Sequence, residues 1–326
     1  MSYISFNGGN KEAGQVIPEI PSGRKEIISH ILKDLEDLKK NSAFHNTYAI
    51  QENIAFFEAI KSFSGNIKWF IKRASEIDGS RLLELTDFPF PRWDREMHRK
   101  LVEMEKKEFP GLVAPLVNRI ANLILTKNNR FIGVGLGCGG MEVERQIIKS
   151  LLEKKHPHQV VLIGVDKSPV TNEVARENLR EVEPHIDIHE IENLNSSALE
   201  NLLKGDRHRH IIILCKNDIF KLPEYFAPRS FDVIYHSLFK HHLMGNHKKE
   251  MDSVVSSLAK CGLEYDGFKN WPVFIPQTII GWNHPVFLNA EIFSDFRFLK
   301  KDELAKIYTG LKLSFFKRTG TYLLEF

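Results

Sequence analysis

The stretch Phe131–Glu144, FIGVGLGCGGMEVE, places five glycines in ten positions directly behind a short apolar run. Glycine surrenders more backbone freedom on folding than any other residue, so so dense a cluster has to meet a geometric demand. A strand that ends in glycines and turns into a helix creates such a demand. The backbone can then approach a ligand closely, and the helix start offers unpaired N–H groups. The rest of the chain agrees with this placement. After Thr126, the short apolar runs RFIGVG, QVVLIGVD, HIIILCKND, SFDVIYHS and PVFIPQTIIGW alternate with helical patterns. Continuous apolar strands separated by helices mark a parallel sheet covered on both faces.

The part before Thr126 has a different texture. Ile27, Ile31, Leu35 and Leu38 recur at helical spacing, as do Ile50, Ile54, Phe57 and Ile60. Ser64-Gly65-Asn66 stops the second helix, and IKWFIKRASEID predicts a third that ends near Gly79. Pro89 and Pro91 then break the pattern. A charged helix to Phe109 and an apolar one from Leu112 to Leu125 follow. The expected organisation is a helical region over residues 1–126, serving as a lid, an acceptor-binding element or a dimerisation surface, and an α/β domain over 127–326.

Composition narrows the partners. A net charge of +3 over 326 residues, with 27% charged residues of both signs interspersed, gives no basic stripe for nucleic acid. There is also no Asn-Pro-Pro-aromatic run. Cys138, Cys215 and Cys261 are odd in number and widely spaced, which argues against a disulfide framework and a cysteine zinc site. No segment has the roughly 18 uninterrupted apolar residues of a spanning helix, and the N-terminus lacks a cleavable leader pattern. A cytoplasmic protein without a membrane partner is expected.

Gly135, Gly137 and Gly140 match G-x-G-x-x-G, and the next strand ends in Asp166, placed to accept from ribose hydroxyls. Those features alone admit any adenine nucleoside, including NAD(P) in an oxidoreductase. The order of FIGVGLGCGG, VVLIGVD, NDIFKLPEYFAPRSFDVIYHS and the final FLKKDELAKIYTGLKLSFFKRTGTYLLEF resembles the class I S-adenosylmethionine-dependent methyltransferases over roughly the last two hundred residues. The resemblance implies a Rossmann-like, doubly wound, mostly parallel seven-stranded sheet with an antiparallel last strand, preceded by the all-helical region. It implies S-adenosylmethionine as methyl donor, S-adenosylhomocysteine as product, and O-, N- or C-methylation of a small-molecule acceptor. A non-catalytic nucleoside-binding module that recruits a partner through the helices is the reading from another class.

Carried over by position, the resemblance puts Gly135, Leu136, Gly137, Cys138 and Gly139 along the donor's methionine part. Asp166 falls on the ribose and Lys167 beside the adenine, while Asn217, Asp218 and Ile219 hold the base. His236 and Ser237 lie beside the sulfonium and amino-acid tail. The chain departs from the family where an acid usually opens the loop, at Gly135, and where a glycine usually closes it, at Met141. Glu142 and Glu144 are the candidates to replace that acid. IDIHEIENLNSSALENLLKGDRHRH, between Asp166 and Asp218, predicts an added strand and helix or an elaborated loop. Of the four histidines in HSLFKHHLMGNHKKE, His241 and His242 are the candidate general bases. No pair has the H-x-x-x-H spacing of a helical metal site, so no metal is expected. Trp93, Trp271 and Trp282 are candidates to line an acceptor pocket.

Overall fold

The protein is described by a computed structural model over residues 23–41, 47–62, 88–107, 111–168, 170–204, 209–243, 246–268, 284–285 and 298–326. The third helix expected over IKWFIKRASEID, the run PVFIPQTIIGW, Trp271 and Trp282 lie outside the described residues. Helices α1 (Arg24–Lys40) and α2 (Thr47–Lys61) form where the apolar spacing predicts them. Their buried stripes, Ile28, Ile31, Leu35, Ile50, Phe57 and Ile60, close on each other and on Trp93 and Met97 of α3 (Pro91–Lys107). Pro91 opens α3, a position where a missing N–H is harmless and the fixed φ suits a helix. Trp93 is therefore core to this helical cluster, with its indole N–H donating to Asp34 at 2.7 Å.

Eight strands make one sheet in the order β3-β4-β2-β1-β5-β6-β8-β7. They are β1 (Phe131–Leu136), β2 (Val160–Asp166), β3 (Ile186–Glu192), β4 (His210–Lys216), β5 (Val233–Ser237), β6 (Gly262–Gly267), β7 (Lys312–Phe316) and β8 (Thr321–Glu325). Every pairing from β3 to β6 is parallel, and the last strand, β8, runs antiparallel to both its neighbours. The expected architecture holds, with eight strands in place of seven. The extra one is β3, which pairs with β4 from Ile186 opposite His210 to Glu192 opposite Lys216. It comes from the insert between Asp166 and Asp218, together with the following helix. As an edge strand it is only partly covered, with Ile186 and Ile188 packed toward one core and Ile191 toward the other, so it carries Asp187, Glu190 and Glu192 and lacks the continuous apolar run of a central strand. Charge on an edge also discourages strand addition by another molecule.

Helices cover both faces. On one, α4 (Ala114–Leu125), α5 (Glu142–Glu153) and α6 (Thr171–Leu179) bury Leu116, Ile120, Ile147, Leu151 and Leu179 against Phe131, Leu162 and Tyr235. On the other, α7 (Ser196–Leu202), the short α8 (Leu222–Tyr225) and α9 (His247–Leu258) cover Val134, Ile163, Ile213 and Ile234. A last helix, α10 (Lys301–Ile307), packs Leu304 near Tyr322 and Leu324 of β8. This arrangement leaves the carboxyl ends of β1, β2, β4, β5 and β6 along one edge, where an open α/β sheet binds ligands.

Candidate functional site

The glycine loop joins β1 to α5 and is fixed by hydrogen bonds to the neighbouring strand. The N–H of Gly137 donates to the carbonyl of Val165 at 2.8 Å, that of Gly139 to Asp166 Oδ2 at 3.1 Å, and that of Met141 to the carbonyl of Cys138 at 2.9 Å. Gly137 and Gly139 hold φ of 61° and 48°, the left-handed region that a side chain disfavours. What occupies the space above them differs from the expectation of open room for a ligand. A Cβ on Gly135 would fall within 3.0 Å of the Glu144 carboxylate, one on Gly137 within that distance of the Phe239 ring, and one on Gly140 likewise of Val102. On Gly139 it would lie 3.0 Å from His98 Nδ1. Gly164 in β2, which the sequence did not single out, makes way for Met141 and Cys138. The glycines thus admit the chain's own side chains, two of them from α3.

Neither candidate replacement for the missing acid stands open to solvent. Glu142 is clamped by Arg145, by Gln146 at 2.9 Å and by Asn178 at 2.9 Å. Burial works against its charge, yet these donors hold its carboxyl below the usual range. Glu144 is 2% exposed and accepts from the Tyr235 hydroxyl at 2.7 Å. Burial pushes its carboxyl up to about 7, with the tyrosine bond opposing. Cys138 is kept as a thiol for the same reason, burial first and then Asp166 and Glu144, which removes it as a nucleophile.

The ends of β2 and β4 lie side by side. Asp166 lies opposite Lys216 in the β2–β4 register, and the N–H of Asn217 donates to the Asp166 carbonyl at 3.3 Å. Each Asp166 carboxylate oxygen accepts one backbone N–H, from Gly139 and from Ser168 at 2.9 Å. Both oxygens keep lone pairs for a further donor. Asp218 is exposed and caps the next turn by accepting from Phe220 at 3.0 Å, with Ile219 buried behind it. The side-chain amide nitrogen of Asn217 is buried and has no partner. A buried donor left unpaired costs about 1–3 kcal/mol, which makes this nitrogen a candidate to meet an acceptor. Lys167 follows Asp166 at the exposed rim and Leu136 is buried at the end of β1.

Past β5 the chain builds a buried polar network that the sequence reading did not find. His236 is 1% exposed, with its Nε2 3.7 Å from Glu264 and neither ring nitrogen hydrogen-bonded, so it lies beside this network. Ser237 is part-exposed at the strand end. Glu264 and Asp266 lie two residues apart on one face of β6, each met by a side chain from the turn after β5, Lys240 and His241. Lys240 Nζ reaches Glu264 at 2.7 Å, Asp252 at 2.6 Å and the Tyr308 hydroxyl at 2.8 Å, and Tyr322 donates to Glu264. His241 Nδ1 meets Asp266 Oδ1 at 2.7 Å, and its backbone N–H meets Oδ2 at 3.1 Å. Burial disfavours the Asp266 charge, but the His241 ring and its hydrogen bonds win and hold its carboxyl at about 2. An ionised carboxylate has no proton to give, so Nδ1 carries the hydrogen. His242 stacks on His241 with ring centroids 4.1 Å apart. A cavity of about 30 Å³ opens between the two pairs, lined also by Lys248 and Phe298. The signal for this network was GLEYDG, two acids two residues apart in an otherwise apolar strand. Among the described residues, no group of three or more His, Cys, Asp or Glu side chains is arranged to hold a metal ion.

No protein-family model and no curated protein sequence matches the chain. The solved structures it resembles are methyltransferases. The carbon methyltransferase CurJ aligns at 11% identity over 94% of this chain and 99% of its own, with a TM-score of 0.42. The plantazolicin methyltransferase BpumL, solved with S-adenosylhomocysteine, aligns at 12% identity over 71% of this chain and 95% of its own, TM-score 0.40. The N-methyltransferase NodS of Bradyrhizobium japonicum, also solved with S-adenosylhomocysteine, aligns at 12% over 71% and 97%, TM-score 0.38. At such values the chain's own strand order and site residues, rather than these likenesses, carry the argument.

Proposed function

We propose that this chain is an S-adenosylmethionine-dependent methyltransferase for a small-molecule acceptor. One observation carries the reading: Asp166 and the Asn217–Asp218 pair stand at adjacent strand ends with unspent hydrogen-bonding capacity. A dinucleotide pyrophosphate needs free N–H groups at this loop. Here Gly137, Gly139 and Met141 have already donated theirs within the chain, and the first turn of α5 carries Glu142 and Glu144. Three spent loop donors and an acidic helix start disfavour a pyrophosphate, while Glu142 is already met by Arg145 and Glu144 is buried, so neither is asked to contact the donor's tail. In this reading Asp166 takes the ribose hydroxyls, and Asp218 and Asn217 take the base.

The bound donor supplies a methyl group already activated on sulfur. The protein's task is to align an acceptor and exclude water, and such positioning is worth up to roughly 7–11 kcal/mol in favourable cases. His241 is the base of this scheme. Asp266 fixes the tautomer with the proton on Nδ1, which makes Nε2 the nitrogen that takes a proton from the acceptor. Titration calorimetry tests the reading. S-adenosylhomocysteine should bind and NAD should not, and binding of NAD alone would overturn it in favour of an oxidoreductase.

A further inference from the structure

Helix α3 belongs by its apolar face to the helical cluster, where Trp93 and Met97 dock it. Its adjoining face, one residue on, reaches the glycine loop. Asp94 shares a hydrogen bond with the Ser168 hydroxyl at 2.5 Å, and its other oxygen lies 3.1 Å from His98 Nε2. His98 in turn sits on Gly139, close enough that a Cβ there would meet Nδ1 at 3.0 Å. Ser168 and Gly139 are the two residues whose N–H groups hold the Asp166 carboxylate. Asp94 and His98 therefore touch both supports of the residue assigned to the ribose. Flanking them on the same helix, Arg95 pairs with Glu173 and Arg99 with Glu177 at 2.8 Å, tying α3 to α6.

Docking alone does not account for this pair. Trp93 and Met97 already anchor the helix, and burying a carboxylate and an imidazole costs free energy that an apolar contact would not. Their side chains are only 12% and 15% exposed. We propose that His98, oriented by Asp94, forms the wall of the donor pocket beside Asp166 and hydrogen-bonds the ribose hydroxyls of a nucleoside ligand. The helical region is then part of the donor site, and a chain cut back to the sheet domain would lose donor affinity as well as turnover. This rests on the methyl-donor reading above.

The test is a ligand–residue cycle on the full chain. S-adenosylhomocysteine and its 2′,3′-dideoxy form are titrated into the wild type, His98→Ala and His98→Gln. The wild type should prefer the intact ribose, and His98→Ala should shrink that preference by about tenfold, the scale of one hydrogen bond to a polarised group. His98→Gln, which keeps a polar end of similar reach, should shrink it less. If His98→Ala binds neither ligand, His98→Gln carries the comparison. A residue that only packed the fold would weaken both ligands alike, and one acting solely through Asp166 would have no effect on the preference in an Asp166→Ala background, where a direct His98 bond still shows. An unchanged preference in the variants therefore overturns the inference and leaves the methyl-donor reading standing. Failure of the wild type to bind S-adenosylhomocysteine overturns that reading and the inference with it.

Discussion

The two halves of the sheet's carboxyl edge are built by different means. Around β1, β2 and β4 the backbone does the holding. Loop N–H groups bond to strand carbonyls and to Asp166, and glycines clear space for Glu144, Phe239, His98 and Val102. Around β5 and β6 side chains do it, through the Lys240–Glu264 and His241–Asp266 pairs. Backbone bonds fix a shape that is indifferent to most substitutions except at the glycines. Charge pairs can be rewritten residue by residue. The first construction suits a ligand that never varies and the second a partner that distinguishes one enzyme from another, which is the division expected between a common methyl donor and an individual acceptor.

The largest effect that would break this comparison is catalytic. His241→Ala should lower kcat by about 10²–10⁴-fold, the usual contribution of a positioned base. Affinity for S-adenosylhomocysteine, measured by calorimetry, should stay unchanged. Equal loss of both would mean that the β5–β6 half also holds the donor, and the division would fall.

Next in size is the stability of the charged half. Glu264 is fully buried and accepts from Lys240 and Tyr322. Glu264→Ala leaves the buried Lys240 ammonium with Asp252 as its one remaining carboxylate partner and should cost up to about 3–5 kcal/mol, read from urea unfolding. Replacing the pair together, with Lys240→Met and Glu264→Leu, should recover most of that, because two charges no longer need desolvation. A double variant as unstable as the single one would show that the network contributes more than its pair.

Much of this was legible in the chain. Apolar runs gave the central strands, because both faces of those strands are covered, and the glycine cluster with Asp166 gave the first crossover. The edge strand β3 was legible only as an added strand and helix or an elaborated loop, because IDIHEIE mixes charge into its apolar positions and shifts their phase between Ile188 and Ile191. The polar network escaped for another reason. Glu264 and Asp266 are recognisable as buried acids only once Lys240 and His241, more than twenty residues earlier, are brought opposite them by the β5–β6 pairing. The role of α3 was hidden too, since nothing in PRWDREMHRK distinguishes the docking face of Trp93 and Met97 from the face that meets Gly139.

The smallest effect comes from two buried groups with opposite proton preferences. His210 accepts from the Val160 N–H at 3.3 Å, and burial, with His156 adding to it, pushes its ring down to about 4 from 6.5. A depressed value means that the folded chain resists a proton the unfolded chain takes. The contribution of His210 is full above pH 6.5 and is lost as pH falls through 4. Glu144 is raised from 4.5 to about 7, so its contribution is full below pH 4.5 and is lost as pH rises through 7. Each slope is about 1.4 kcal/mol per pH unit. Between pH 4.5 and 6.5 the two slopes cancel. Removing one exposes the other: Glu144→Gln should make unfolding free energy climb with pH across that window relative to wild type, and His210→Gln should make it decline, each by about 3 kcal/mol. Urea titrations at a series of pH values read both differences, in which the remaining titrating groups drop out. Curves parallel to wild type would mean that neither group is held in its uncharged form by burial, and Gly135 would then need another reason to leave space for the Glu144 carboxyl.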